Sequence, residues 1–193
     1  MRWSVVSIPH TGTHSVLDIL GGTVPHLKEM MNIPYCIDGC EYYVAHLYRS
    51  TLIERVLSYG YEVVIPMRHP VKTVESWCNW QEKNPVQIEN VVGADNLPEV
   101  EQYFEPEWVL KLFRTLIWLD ELYPGDLNYL PVDAPTRDYY LDKLNHKYNL
   151  SLTTNWRPLN SIGEYVTDTP KELREATDNL LKDNKEFFSR FYD

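Results

Sequence analysis

The sequence predicts an α/β protein with a mainly parallel central sheet and a layer of helices on each face, the three-layer α/β/α class. Two observations support this prediction. Short apolar runs rich in β-branched residues alternate along the first half of the chain with stretches of helical periodicity. The length of 193 residues and the apolar fraction of 44% suit one domain, residues 1–193, with a sizeable core.

The first strand, turn and helix occupy residues 5–20. Val5, Val6 and Ile8 are typical of a buried strand, a turn with proline and glycine spans residues 9–12, and a helix follows. The backbone N–H groups of residues 11–15 and the dipole of the helix converge on this turn, an arrangement that attracts phosphate. An ordinary turn between a strand and its helix is the alternative.

Two more pairs of strand and helix follow a stretch without a clear period. Residues 23–40 contain two prolines and two cysteines and predict a loop. Residues 42–47 favour a second strand ending near His46, and Ser50 caps the helix that follows it. Residues 61–67 are mostly apolar, which is typical of a buried parallel strand.

This third strand delivers Arg68 to its carboxyl end. Pro70 is well placed as the first residue of the next helix, and Ser76 then lies about two turns into that helix. The carboxyl ends of parallel strands form one ligand-binding edge, so we expect Arg68 to meet the turn at residues 9–12.

Residues 81–107 differ in character from the rest of the chain. They contain seven acidic side chains, one lysine and three prolines. A long irregular stretch inside a compact domain is usually functional or mobile. Two interpretations therefore stay open for 81–107, a lid on the acceptor side of a binding site or a solvated insertion.

The second half continues the alternation of helices and strands. Pro106 opens an amphipathic helix. Residues 127–132 predict a strand, with Pro131 at its end or at the sheet edge. A helix then covers residues 136–148, and Asn149 is an acceptable left-handed stop.

A terminal helix is predicted through Phe187. Thr169 and Glu172 have the spacing of a capping box, and Pro170 between them suits the first helical position.

Charge and cysteine content exclude several classes of protein. The 28 acidic and 18 basic side chains give a net charge of −10, which argues against binding to nucleic acid or an anionic membrane. No apolar run approaches the ~20 residues of a membrane span, and no signal peptide is recognisable, so we expect a cytoplasmic protein. Cys36, Cys40 and Cys78 are read as reduced thiols. Cys36, Cys40 and His46 lack a fourth ligand at a recognised spacing, so no metal site is expected.

Two motifs resemble those of one enzyme family. Pro9-His10-Thr11-Gly12-Thr13-His14 resembles the loop P-K-[ST]-G-T-[TS] of sulfotransferases that use 3′-phosphoadenosine 5′-phosphosulfate (PAPS). Arg68, Pro70 and Ser76 have the spacing of that family's R-x-P-x-x-x-x-x-S. The chain is therefore similar to a short, divergent PAPS-dependent sulfotransferase, which implies the P-loop-like architecture of that family.

The resemblance implies transfer of a sulfuryl group from PAPS to a hydroxyl or amine of a small-molecule or carbohydrate acceptor. The product is adenosine 3′,5′-bisphosphate, and no metal is needed. His46-Leu47-Tyr48 is similar to the family's H-L-P, whose histidine is the general base, so His46 and His10 are the implied catalytic residues. The implied PAPS-binding residues are His10, Thr11, Gly12, Thr13, His14, Ser15, Arg68, Ser76 and, in a counterpart of the family's R-K-G-x-x-G, Arg157. Asp133 matches an acidic residue that follows a late strand in the family.

The sequence departs from the family pattern at two positions. His10 stands where the family has a lysine; a neighbouring phosphate would raise the pKa of His10, so activity is expected to decline as the pH rises. Ser15 stands where many members have an aromatic residue that stacks on adenine. The candidates to replace that aromatic residue are Trp77, Trp80 and Trp156.

Two other functions stay open. One is an inactive relative that binds PAPS or its product as a sensor or partner. The other is a P-loop kinase of small substrates, which is disfavoured because Ser7 and Thr13 stand where G-x-x-x-x-G-K-[ST] needs glycine and lysine.

Overall fold

A computed structural model describes residues 2–21, 34–37, 40–47, 51–83, 106–153 and 168–193. The strands are β1 Arg2–Ser7, β2 Pro34–Ile37, β3 Cys40–His46, β4 Glu62–Met67 and β5 Leu127–Pro131. The helices are α1 Thr13–Gly21, α2 Thr51–Ser58, α3 Pro70–Lys83, α4 Pro106–Leu122, α5 Arg137–Tyr148, α6 Lys171–Asp183 and α7 Lys185–Tyr192.

The five strands form one sheet in the order β2-β3-β1-β4-β5. Strands β1, β3, β4 and β5 are parallel, and β2 pairs antiparallel with β3. The last residue of β1, Ser7, lies opposite the last residue of β3, His46. The mainly parallel sheet agrees with the fold class that the sequence predicts.

Helices cover both faces of this sheet. Alternate side chains of a strand point to opposite faces, and two hydrophobic clusters result. Helices α2, α3, α4, α6 and α7 contribute to the cluster that contains Val6 of β1. Helices α1 and α5 contribute to the cluster that contains its neighbour Val5. The arrangement is compatible with three layers.

Strand β2 corrects the prediction of a loop throughout residues 23–40. Residues 34–37 pair with β3, from Pro34 opposite Tyr43 to Ile37 opposite Cys40. Proline has no N–H to donate and weakens a strand signal, but β2 is at the end of the sheet, where one side of the strand needs no partner within the sheet.

Helix ends follow the sequence signals in some places and depart from them in others. Pro70 is the first residue of α3, and Asn149 caps α5 with a positive φ of 52°, both as predicted. The capping box is wrong, because Pro170 is itself the N-cap of α6, with an extended ψ of 142° and no side-chain hydrogen bond. The terminal helix is interrupted at Asn184, whose side chain donates to the Leu180 carbonyl.

Two further observations concern membrane spans and the predicted residues outside the description. Within the described ranges, no helix is both long and apolar enough to cross a membrane. Most of the predicted lid or insertion, residues 84–105, and both Trp156 and Arg157 lie outside those ranges.

Candidate functional site

The candidate site lies at the edge of the sheet where the parallel strands end. Strand β1 lies between β3 and β4. After β1 the chain forms β2 and β3 on one side of it and then crosses to form β4 on the other side. In open α/β sheets such a reversal of strand order leaves a crevice beyond the carboxyl ends, where ligands bind. The residues after Ser7, His46 and Met67 all reach this edge.

The turn after β1 is closed by Thr11. Its N–H and its Oγ1 both donate to the Ile8 carbonyl, at 3.3 Å and 2.7 Å, and its side chain is fully buried. The Val16 N–H donates to the Gly12 carbonyl, so α1 starts directly from this turn. The Thr11 amide and hydroxyl are therefore used to hold the turn together.

Gly12 is required by its own backbone and by a neighbour on β5. Its φ is +94°, a conformation that favours glycine. A Cβ at this position would lie 2.9 Å from Val132 Cγ2, immediately after β5. The glycine thus lets the turn pack closely against the end of a strand two positions away in the sheet.

Arg68 and Ser76 both contact this turn through His10. Arg68 Nη1 donates to the His10 carbonyl at 3.3 Å, and His10 Nδ1 lies 3.1 Å from Ser76 Oγ. His10 itself has a positive φ of 66°, unusual for a residue with a side chain. The two sequence motifs, more than fifty residues apart, therefore meet at one place.

Asp133, the residue after Val132, forms ion pairs with Arg68 and Lys72. Its Oδ1 accepts the His69 N–H at 3.2 Å. Its Oδ2 is buried and lies 4.0 Å from Arg68 Nε and 3.5 Å from Lys72 Nζ. Sequence reasoning missed Lys72, although a lysine in the first turn of a helix, where the dipole disfavours cations, was a usable signal.

A chain of hydroxyl groups connects α1 to His46. Thr13 Oγ1 donates to Ser7 Oγ at 2.7 Å, and Ser7 Oγ lies 2.9 Å from His46 Nδ1. A hydrogen bond to the Ser7 backbone also favours the protonated form of the imidazole. Either Ser7 Oγ or His46 Nδ1 can donate in this contact, according to the tautomer of the imidazole. A neutral imidazole holds a lone pair on one ring nitrogen, as a general base requires.

Both histidines are neutral at pH 7 in the folded protein. Burial, with smaller contributions from His46 and Arg68, lowers the pKa of His10 to about 4. Burial also lowers the pKa of His46 to about 4, with a smaller contribution from His14. His10 would therefore carry a full positive charge at pH 7 only if a bound anion raised its pKa.

These pKa values predict a loss of stability in mild acid. In the unfolded chain His10 titrates near 6.5, so between pH 6.5 and 4 the unfolded state binds more protons and is favoured. His10→Gln should remove about 2 kcal/mol of the stability difference between pH 7 and pH 5, measured by urea unfolding at each pH. The control is His146→Gln, at an exposed position; between pH 7 and pH 5 this variant should lose as much stability as the wild type does. Equal pH dependence in all three proteins would contradict the prediction.

An aromatic cluster borders His10. The rings of Trp77 and Trp80 make edge contacts with its imidazole, with centroids at 5.2 Å and 5.9 Å, and stack on each other at 5.5 Å. Trp77 is buried in the core, whereas Trp80 is partly exposed. Of the three tryptophans considered for stacking on adenine, Trp80 is thus an accessible ring next to the turn.

The remaining site residues are placed as follows. His14 and Ser15 lie in the first turn of α1, and the ring of His14 is close enough to affect the pKa of His46. Arg157 lies outside the described residues. Ser7, which links Thr13 to His46, was missed by sequence reasoning, because a serine inside an apolar strand carries no distinguishing pattern.

Metal binding has no support from a cluster of ligands. Among the described residues, no group of three or more His, Cys, Asp or Glu side chains could hold a metal ion. Cys40 and His46 are the two ends of β3, about 20 Å apart at the rise of a strand, so they cannot share one ion.

Comparisons with known proteins leave the family open. No family model matches the chain, and no curated protein matches it either.

Proposed function

We propose that the protein binds PAPS at this edge of the sheet and transfers its sulfuryl group to an acceptor hydroxyl or amine, with the P-loop-like architecture of the sulfotransferases. The proposal rests on one observation: the Arg68 guanidinium contacts the turn after β1 at the His10 carbonyl, and the His10 ring contacts Ser76. The same proposal includes a cytoplasmic location and a small-molecule or carbohydrate acceptor.

The geometry suits a ligand with two anionic groups. Helix α1 begins at Thr13, so the amides of its first turn have no acceptor within the helix and face the edge of the sheet. These amides would hold the 5′-phosphosulfate. Arg68 and Ser76 would hold the 3′-phosphate, and Asp133 would keep Arg68 and Lys72 in place from behind.

His46 supplies the base in this reaction. It would take the proton of the acceptor hydroxyl on its unprotonated ring nitrogen, while the acceptor oxygen forms a bond to sulfur. The bond between sulfur and the bridging phosphate oxygen breaks, and adenosine 3′,5′-bisphosphate leaves. Preorganised donors on the turn would stabilise the negative charge that develops on the leaving phosphate.

A binding protein without turnover is the second candidate. His10 replaces the lysine that the resemblance assigns to the leaving group, and its pKa is lowered rather than raised. A neutral imidazole can donate one hydrogen bond but brings no charge. This observation favours a sensor or partner that holds the bisphosphate without catalysing transfer.

Two measurements test these candidates. Calorimetric titration with adenosine 3′,5′-bisphosphate in the presence of EDTA should show binding, whereas ATP with Mg²⁺ should bind weakly. Binding only of Mg²⁺-ATP would contradict the proposal and favour a kinase. Incubation with radiolabelled PAPS and a mixed acceptor extract then separates an enzyme, which labels an acceptor, from a binding protein, which labels none.

A further inference from the structure

Helix α3 presents one polar face away from the hydrophobic core. Lys72, Ser76 and Asn79 follow each other at four and three residues, which places them on one side of the helix. The opposite side packs into the core through Val74 and Trp77. At Ser76 the polar face is directed toward the candidate site, because Ser76 Oγ contacts His10 Nδ1 there.

Ser76 and Asn79 of this face are both buried, and Asn79 differs from Ser76 in its hydrogen bonding. Its side chain is fully buried, with a relative exposure of 0%. Neither Nδ2 nor Oδ1 has a hydrogen-bond partner in the part of the chain that the structure describes. Buried amides are nearly always hydrogen-bonded, so an amide with both atoms unpaired needs an explanation.

The position of Asn79 connects it to the site. It lies three residues beyond Ser76, one turn and about 4.5 Å further along the axis of α3. Trp80, whose ring contacts His10, is the next residue. An unpaired carboxamide therefore lies one turn of α3 from Ser76, which is assigned to the 3′-phosphate.

A carboxamide offers a donor and an acceptor side by side. Its natural partner is a group with the complementary pair, and the edge of adenine has one, an exocyclic amine next to a ring nitrogen. Phosphate and pyrophosphate offer acceptors only, so they cannot satisfy both atoms of Asn79.

We propose that Asn79 recognises the base of the bound nucleotide by hydrogen bonds from both atoms of its carboxamide, at a subsite one turn of α3 beyond Ser76. The inference rests on the proposed binding of an adenosine bisphosphate and adds a residue that determines which base is accepted. Binding of the base would then pair both buried polar atoms.

The test compares Asn79→Leu with the wild type for two ligands, adenosine 3′,5′-bisphosphate and pyrophosphate, by calorimetry. Leucine has nearly the same shape but no polar atoms. We expect at least a 10-fold loss of affinity for the bisphosphate and less than a twofold change for pyrophosphate. We also expect an unchanged or higher Tm, because the unpaired buried amide is removed. Asn79→Ser is a second, smaller variant, and Asn179→Leu, on the exposed side of α6, is the matched control.

Each other outcome is decisive. Equal affinity of Asn79→Leu and wild type for the bisphosphate would overturn the inference and leave the proposed function standing. A fall in Tm with equal weakening of both ligands would overturn it too, because Asn79 would then be structural. Failure of the wild type to bind the bisphosphate, with pyrophosphate still bound, would instead refute the proposed function and the recognition of the base together.

Discussion

Arg68→Ala should reduce the affinity for adenosine 3′,5′-bisphosphate at least about 100-fold, or roughly 3 kcal/mol, in a calorimetric titration. The guanidinium contacts the turn after β1 through the His10 carbonyl and is the cation that the resemblance assigns to the 3′-phosphate. Charge-assisted hydrogen bonds from arginine are stronger than neutral ones. The loss should fall on the ligand rather than on the fold.

The fold should survive this substitution because Asp133 keeps a partner. Lys72 lies 3.5 Å from Asp133 Oδ2 and would still offset its charge after Arg68 is truncated. The free energy of unfolding should therefore change by no more than about 1 kcal/mol. Arg114→Ala, on the exposed side of α4, is the control for a general loss of positive charge. Full affinity in Arg68→Ala would remove Arg68 from the site.

Gly12→Ala should destabilise the protein by about 3 kcal/mol, measured by urea unfolding. Two effects combine in this value. A φ of +94° is unfavourable for any residue with a Cβ, at about 1–2 kcal/mol. The new Cβ would also come within 2.9 Å of Val132 Cγ2, and overpacking of this kind costs about 1–3 kcal/mol.

Gly125 provides a matched control for the backbone effect alone. Its φ is +86°, close to that of Gly12, but a Cβ there would meet no atom within 4 Å. Gly125→Ala should therefore lose only the backbone contribution, about 1–2 kcal/mol. Adding Val132→Ala to Gly12→Ala should recover the difference, seen as a favourable coupling energy in a double-mutant cycle. Equal losses in Gly12→Ala and Gly125→Ala would show that the contact with Val132 does not constrain the turn.

Local sequence patterns predicted the parts of the fold that local chemistry determines. The apolar run of β4 and the proline at the start of α3 placed Arg68 at a strand end and Ser76 on the next helix. Parallel pairing then brings both to the turn after β1 without any further information, which is why these contacts were predictable. Strand β2 was missed because its pairing with β3 is a tertiary contact that its own proline-containing sequence does not signal.

The parts of the site that escaped prediction depend on three-dimensional packing. The contact of Ser7 with His46 follows from the register of β1 and β3, which no spacing reveals. The lowered pKa of His10 depends on burial, which cannot be read from a loop sequence. The terminal helix is interrupted after Asp183, where Asn184 has the non-helical backbone angles φ −123° and ψ 36°, a change that apolar periodicity does not signal.

The close packing of Gly12 against Val132 has a consequence for the cell. The turn at residues 9–12 packs against Val132 and contacts Arg68 and Ser76, so the complete site exists only in the folded protein. A ligand that binds the assembled site alone shifts the folding equilibrium by RT ln(1 + [L]/Kd), about 2.7 kcal/mol at one hundred times its Kd. The abundance of the protein would then rise and fall with the supply of its own ligand.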